Sequence, residues 1–240
     1  MTRTRGHRSR MARVAASSLG VDEQEVLVCS TGSIGVQLPM EKIAHGIAEA
    51  AAQLDPDGGS LAAQAIMTTD TVPKIVHGED QIHGSPYRII GIAKGAGMIA
   101  PDMATMLAYV GTDAGVSQAR LQAVLDAAVA TSFNSITVDG DTSTNDACVL
   151  LASGASGVTL PEHDLSRAVT QVCADLARAL VADAEGAVLD QDGGDDATPR
   201  LLAGLHHRRA GPALRHGGEF EHLRLERDRL QQSLDVRSLL

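Results

Sequence analysis

Between residues 40 and 182 this 240-residue chain alternates two hydrophobic periods, and that alternation limits its fold more than any other feature. Met40, Ile43, Ala44, Ile47, Ala51 and Leu54 fall on one face of a helix, with Glu41, Lys42 and Glu49 elsewhere. Leu121, Val124, Leu125, Ala128 and Val129 mark a second amphipathic helix, and Leu165, Val169, Val172, Leu176 and Leu180 the stripe of a long third. Short β-branched and apolar runs stand between and before them: Glu25 to Cys29, Tyr87 to Ile92, Met106 to Val110, Ser135 to Val138 and Ala147 to Ala152. Strands and helices so interleaved predict an α/β or α+β class.

The ends read differently. Arginines stud the chain as far as Arg13, predicting a frayed start that runs into a short helix closed by Gly20. Asp55-Pro56-Asp57-Gly58-Gly59-Ser60 is a breaker. Ile75 to Ser85 is polar and predicts a hairpin or surface loop. The third helix is expected to stop at Asp183-Ala184-Glu185-Gly186. Beyond Val188 an acidic, glycine-containing stretch gives way to crowded arginines and histidines with no lysine, and residues 189–240 are expected to be disordered or poorly packed and weakly helical.

Composition removes several function classes. A formal net charge of −10 argues against a nucleic-acid or anionic-membrane surface, and no apolar run reaches the length of a membrane span. No apolar segment follows the basic start, so no secretory signal is expected. Cys29, Cys148 and Cys173 form an odd set without CxxC spacing, as suits reduced thiols in the cytoplasm, and each reads as core filler. Asp139-Gly140-Asp141 with Asp146 fails the calcium-loop template, which asks for glycine where Thr144 stands and glutamate where Leu150 stands. His206 and His207 lack spaced partners, so no metal site is expected. Lys94 is not in P-loop spacing, and no GxSxG elbow is present.

The densest chemical signal runs from Gly91 to Leu107. A strand-like run delivers Lys94 onto a loop with glycines at 95 and 97, and Pro101 and Ala104-Thr105 lead into the next apolar run. A tight loop between buried strands accounts for this. So does a nucleophilic Thr105 with Lys94 aimed at its site. A threonine hydroxyl needs activation, and without a histidine base one route is its own α-amine, exposed by scission between Ala104 and Thr105. That amine has a pKa of about 8, so a useful fraction is neutral near pH 7. Thr31 and Gly32, after a strand-like run, can offer a hydroxyl and an N–H to the tetrahedral intermediates.

Four ordered blocks carry a resemblance. They are Cys29-Ser30-Thr31-Gly32 with Gly35 and Leu38-Pro39-Met40; Met67-Thr68-Thr69-Asp70-Thr71; Lys94 to Pro101 with Met103 to Leu107; and Ser132-Phe133-Asn134 with Thr137 to Asp146. Together they resemble the glutamate N-acetyltransferase (ornithine acetyltransferase) family of arginine biosynthesis. The resemblance implies an α/β (α+β) fold of layered sheets flanked by helices, of N-terminal-nucleophile type and incomplete here. It implies an acyltransferase that cuts itself and moves an acetyl group from N-acetylornithine to glutamate by a ping-pong route. By position it makes Thr105 the nucleophile and first residue of a β chain, with scission after Ala104, and Thr31 and Gly32 the oxyanion hole. Thr68, Lys94, Thr105 and Glu185 match substrate-contacting positions; Lys94 suits a substrate carboxylate and Glu185 an amino group. No cofactor is implied; acetyl-CoA is a co-substrate in some members. The expected assembly is of α2β2 type, in the cytoplasm, with no nucleic-acid or membrane partner.

Family members are longer at both ends. The expected organisation is an unmatched basic start (1–8), a partial acetyltransferase domain (9–188, split as 9–104 and 105–188) and an unmatched tail (189–240), consistent with truncation and a replaced tail. The alternative reading is an inactive fragment or degenerate homologue that at most associates with an intact relative.

Overall fold

A computed structural model describes residues 2–32, 35–97, 99, 106–138 and 146–184. The expected tail at 189–240, the cleavage residues Ala104 and Thr105, and Glu185 lie outside the described residues.

Helix α1 (Thr2–Leu19) packs on α2 (Met40–Ala52). The expected short helix after a frayed start is therefore an eighteen-residue one. Met11, Ala12 and Ala16 are buried, and Arg10 reaches Glu41 through two bonds of 2.9 Å, so Arg8, Arg10 and Arg13 lie on the solvated side of a packed helix. Gly20 then takes φ +72°, the left-handed conformation that ends helices. Glu25 to Cys29 is not the expected strand. Asp22 and Glu25 form a reciprocal capping box that closes a 3₁₀ turn at Glu23–Glu25, and the chain leaves it extended.

After α3 (Gly59–Ala65), strands β1 (Lys74–Ile82) and β2 (Ser85–Lys94) form the hairpin, with His83 and Gly84 both at positive φ as a two-residue type I′ turn requires. β2 pairs antiparallel with β3 (Leu107–Thr112). β3 pairs parallel with β4 (Ala147–Ala152), reached through α4 (Gln118–Thr131). Ser135 to Val138, expected as a strand, opens as a 3₁₀ turn (Phe133–Ser135) and has no ladder. Among the described residues the strands make one sheet in the order β1-β2-β3-β4, so the mixed α/β expectation holds.

The last helix, α5 (Glu162–Ala182), lies across β1, β2 and β3 and packs on α4. Its apolar stripe meets the sheet face that carries Val76, Tyr87, Ile89, Ala93, Ala108, Val110 and Leu150, and Leu165, Val169, Val172, Leu176 and Leu180 are each fully buried there. Gly91 on β2 lets the helix approach: a Cβ at that position would stand 2.6 Å from Val172 Cγ1 and 2.8 Å from Leu176 Cδ1. On the opposite face Ile75, Ile90, Ile92, Tyr109 and Val149 are half-buried, and Tyr109 lies beside Cys29 of the extended segment.

Candidate active site

Two of the sequence-predicted residues meet at the end of the central hairpin. Lys94 closes β2 and is 1% exposed, while Thr68 sits in the turn that follows α3 and is open to solvent. Lys94 Nζ donates to Thr68 Oγ1 at 3.2 Å, so a buried cation stands beneath a solvent-facing hydroxyl. Burial lowers the Lys94 pKa below the ordinary lysine range, the neighbouring Lys74 acts in the same direction, and the Asp70 and Asp146 carboxylates oppose both. An ammonium in that balance keeps donors for an anionic ligand.

A buried ionic network, not anticipated from the sequence, underlies this pair. Asp70 Oδ1 accepts from Gly95 N–H at 2.6 Å and from Lys74 Nζ at 2.6 Å, and its Oδ2 accepts from Thr68 N–H at 3.1 Å. Lys74 also binds Asp183, the residue that caps α5, and Asp183 in turn accepts from the Thr71 N–H and hydroxyl. All three charged side chains are nearly or fully buried. The sequence signal was present: Asp70 and Lys74 stand four apart, and Asp70 belongs to the Thr-Thr-Asp-Thr block.

Burial pushes the Asp70 carboxyl up, but the Gly95 N–H, Lys74 and Thr68 N–H bonds outweigh it and hold it below its usual value. Burial likewise raises Asp183, and its bonds from Lys74 and Thr71 leave it lowered. Groups whose folded pKa is depressed stabilise fully above the unfolded value of about 4 and lose that contribution as pH falls through the folded pKa. Thermal melts between pH 7 and 2.5 are therefore expected to fall steeply only below about pH 4, and the fall is expected to be shallower in Asp183→Asn.

A second carboxylate borders the same strand ends. Asp146, just before β4, accepts from Met106 N–H at 2.7 Å, and Met106 follows Thr105 in the chain. Its Oδ2 is buried and has no hydrogen-bond partner among the described residues. Burial raises the Asp146 carboxyl above its usual value, against the Met106 N–H and the Lys94 charge. Sequence reasoning treated this aspartate as part of a polar turn; its place between Met106 and Lys94 depends on the parallel pairing of β3 with β4.

Thr31 and Gly32 lie in the extended segment after the first 3₁₀ turn, with Leu38 3.7 Å from where a Gly32 Cβ would be. Neither hydrogen-bonds Thr68 or Lys94 among the described residues. The predicted Ala104, Thr105 and Glu185 lie outside those residues, although Met106 and Asp183 fix the chain close by in sequence. Among the described residues no group of three or more His, Cys, Asp or Glu is placed to hold a metal, and no helix is long and apolar enough to cross a membrane.

Comparison with known proteins agrees with the family resemblance. A family model described as the ArgJ family matches residues 2–189. The arginine biosynthesis bifunctional protein ArgJ of Thermobifida fusca is 51% identical over 172 residues, covering 72% of this chain and 44% of the relative. The protein of the same description from Methylococcus capsulatus is 51% identical over 178 residues, with the same shares. The crystal structure of arginine biosynthesis bifunctional protein argJ from Bacillus halodurans is similar at 39% identity and a TM-score of 0.36, covering 39% of this chain and 49% of that one. The chain thus spans less than half the length of these curated relatives. A match along residues 2–189, at about half identity to the relatives, places this chain in the ArgJ family.

Proposed function

We propose that this chain is a self-processing acyltransferase that carries an acetyl group from N-acetylornithine to glutamate, with Thr105 as the nucleophile. The observation that carries the reading is the buried Lys94 ammonium on the Thr68 hydroxyl, at the end of the strand that leads into the Ala104-Thr105 step. Family membership supports it, because the relatives are named as bifunctional proteins of arginine biosynthesis.

In the first stage the Thr105 hydroxyl attacks the Ala104 carbonyl carbon and its proton passes to the departing amide nitrogen. The C–N bond breaks, which frees the α-amine of Thr105 and leaves an ester on its Oγ; water hydrolyses that ester to the Ala104 carboxylate and the regenerated Thr105 hydroxyl. In the second stage that amine accepts the hydroxyl proton while Oγ attacks the acetyl carbonyl, and ornithine leaves with a proton. Glutamate then takes the acetyl group from Thr105 by the reverse steps. Thr31 and Gly32 donate to the oxyanion, Lys94 meets the substrate carboxylate with Thr68 beside it, and Glu185 meets the ornithine amine. No cofactor or metal enters; acetyl-CoA is a candidate second donor. The assembly is of α2β2 type, in the cytoplasm.

Intact mass of the expressed 240-residue chain tests this. Two pieces divided at Ala104/Thr105 are expected, and Thr105→Ala is expected to leave one. The cut chain should then acetylate glutamate from N-acetylornithine. A persistently uncut wild-type chain would sink the reading and favour an inactive piece that associates with an intact relative, which the span of less than half the relatives' length also fits.

A further inference from the structure

We propose that Asp70 is a positioning residue of the substrate site, one carboxylate that holds in register the two backbone segments bearing Thr68 and Lys94. The inference rests on the reading above, in which those two side chains meet the substrate. Thr68 and Lys94 are 26 positions apart, and their side chains meet directly in a 3.2 Å contact. The backbones beneath them are fixed by the same group: Oδ2 of Asp70 takes the N–H of Thr68 itself, and Oδ1 takes the N–H of Gly95, the residue after Lys94. Gly95 adopts φ +145°, an unusual conformation that needs a partner to define it.

The carboxylate is in turn locked by Lys74, whose second partner, Asp183, ends α5 two residues before Glu185 in the chain. Asp183 also grips the Thr71 N–H at 3.0 Å. The two stretches that carry Thr68 and Lys94 are therefore anchored, with the end of α5, to a single buried Asp–Lys–Asp chain. A purely structural ion pair would not need to place its acceptor oxygens on the amides of the site residues. Asp70 also contributes charge: with Asp146 it opposes the burial and the Lys74 charge that lower Lys94.

The test uses the full chain and Asp70→Asn, which keeps the shape and an acceptor oxygen but removes the charge. Acetyl transfer from N-acetylornithine is expected to show a KM raised about tenfold or more with kcat changed only a few-fold, since a uniform binding interaction is lost. Loss of structure alone would lower the active fraction, and so the apparent kcat, with KM unmoved; that result would overturn the proposal. A second measurement does not depend on turnover. The chain has only three lysines, Lys42, Lys74 and Lys94, so ¹³Cε-labelled lysine resolves Lys94 by NMR. In Asp70→Asn its titration should move further below the wild-type value, and an unchanged titration would overturn the proposal. Should the wild type neither cut itself nor transfer acetyl, the functional reading fails while the lysine titration still decides whether Asp70 governs Lys94. Should Asp70→Asn not fold, the wild type is read alone: the Thr68 and Gly95 amide resonances should shift together in one acid titration, and separate titrations would overturn the proposal.

Discussion

Lys74→Met is expected to destabilise the chain by about 3–5 kcal/mol, read as a drop in the urea midpoint at pH 7. The wild-type ammonium lies between the Asp70 and Asp183 carboxylates, and it is 1% exposed. Methionine fills much the same volume, so the cost is not a cavity. It is the burial of two anions that have lost their shared counter-charge, one of them still held by the Gly95 and Thr68 amides and the other by Thr71. The pH sign of the variant reverses that of the wild type. Without Lys74 the burial penalty dominates, so protonating the carboxylates should relieve it, and the variant should lose part of its deficit as pH is lowered toward about 4. A deficit that stayed constant with pH would mean that the two carboxylates do not depend on Lys74. The triple replacement Asp70→Asn, Lys74→Met and Asp183→Asn should be less destabilised than Lys74→Met alone, because neutral groups carry a smaller desolvation cost.

How much of this was legible in the sequence depended on whether a signal was local. The stripe Leu165, Val169, Val172, Leu176 and Leu180 repeats every three or four residues, and the helix it predicts is the one that covers the sheet. The apolar run Tyr87 to Ile92 was legible as a strand, whereas Ile75 to Ser85, polar enough to read as either a hairpin or a surface loop, supplies most of β1 and the His83-Gly84 turn. Ser135 to Val138 misled because a β-branched run states only that its residues suit a pleated surface; whether a partner strand lies beside it is decided by chain path. Glu25 to Cys29 misled because the capping box at Asp22 and Glu25 competes locally for the same residues. The start of α1 looked frayed because a partner such as Glu41, which Arg10 binds, is far along the chain.

The candidate site follows the same division. Lys94 and Thr68 were named from motif position, and the fold brings their side chains together. Asp70, Lys74 and Asp183 were passed over because their meaning lies in three-dimensional closure: Asp183 is 109 positions from Lys74. A sequence reader could have suspected Asp70 and Lys74 from their four-residue spacing, yet that spacing in a strand-entry segment carries no helical implication. Asp146 was seen only as part of a polar run, since nothing in the sequence sets it against Met106 N–H. The polar groups that organise the site are thus the least visible part of it, because a buried charge is recognised by its partners rather than by its neighbours in sequence.

The other large effect is expected where the last helix crosses the sheet. Gly91→Ala should destabilise the chain by about 1–3 kcal/mol, and Leu176→Ala by about 2–5 kcal/mol, for opposite reasons. The first adds a methyl where a Cβ would meet Val172 Cγ1 at 2.6 Å and Leu176 Cδ1 at 2.8 Å, so the helix must shift or two packed side chains must leave their rotamers. The second removes a fully buried side chain from the same contact and leaves a void that close-packed neighbours fill only in part. Together the two changes exchange volume across one interface. The added methyl occupies space that Leu176 vacated, and Val172 gains room to turn away. The double variant should therefore cost less than the two single costs combined, by more than the roughly 0.3–0.5 kcal/mol scatter seen between independent sites. Urea unfolding of the four proteins in the cycle measures it. Simple additivity would show that the close approach of α5 to β2 at Gly91 is not what fixes the helix on the sheet. A positive coupling would show that a single glycine sets that spacing, and with it the position at which α5 ends on Asp183 beside the buried Lys74.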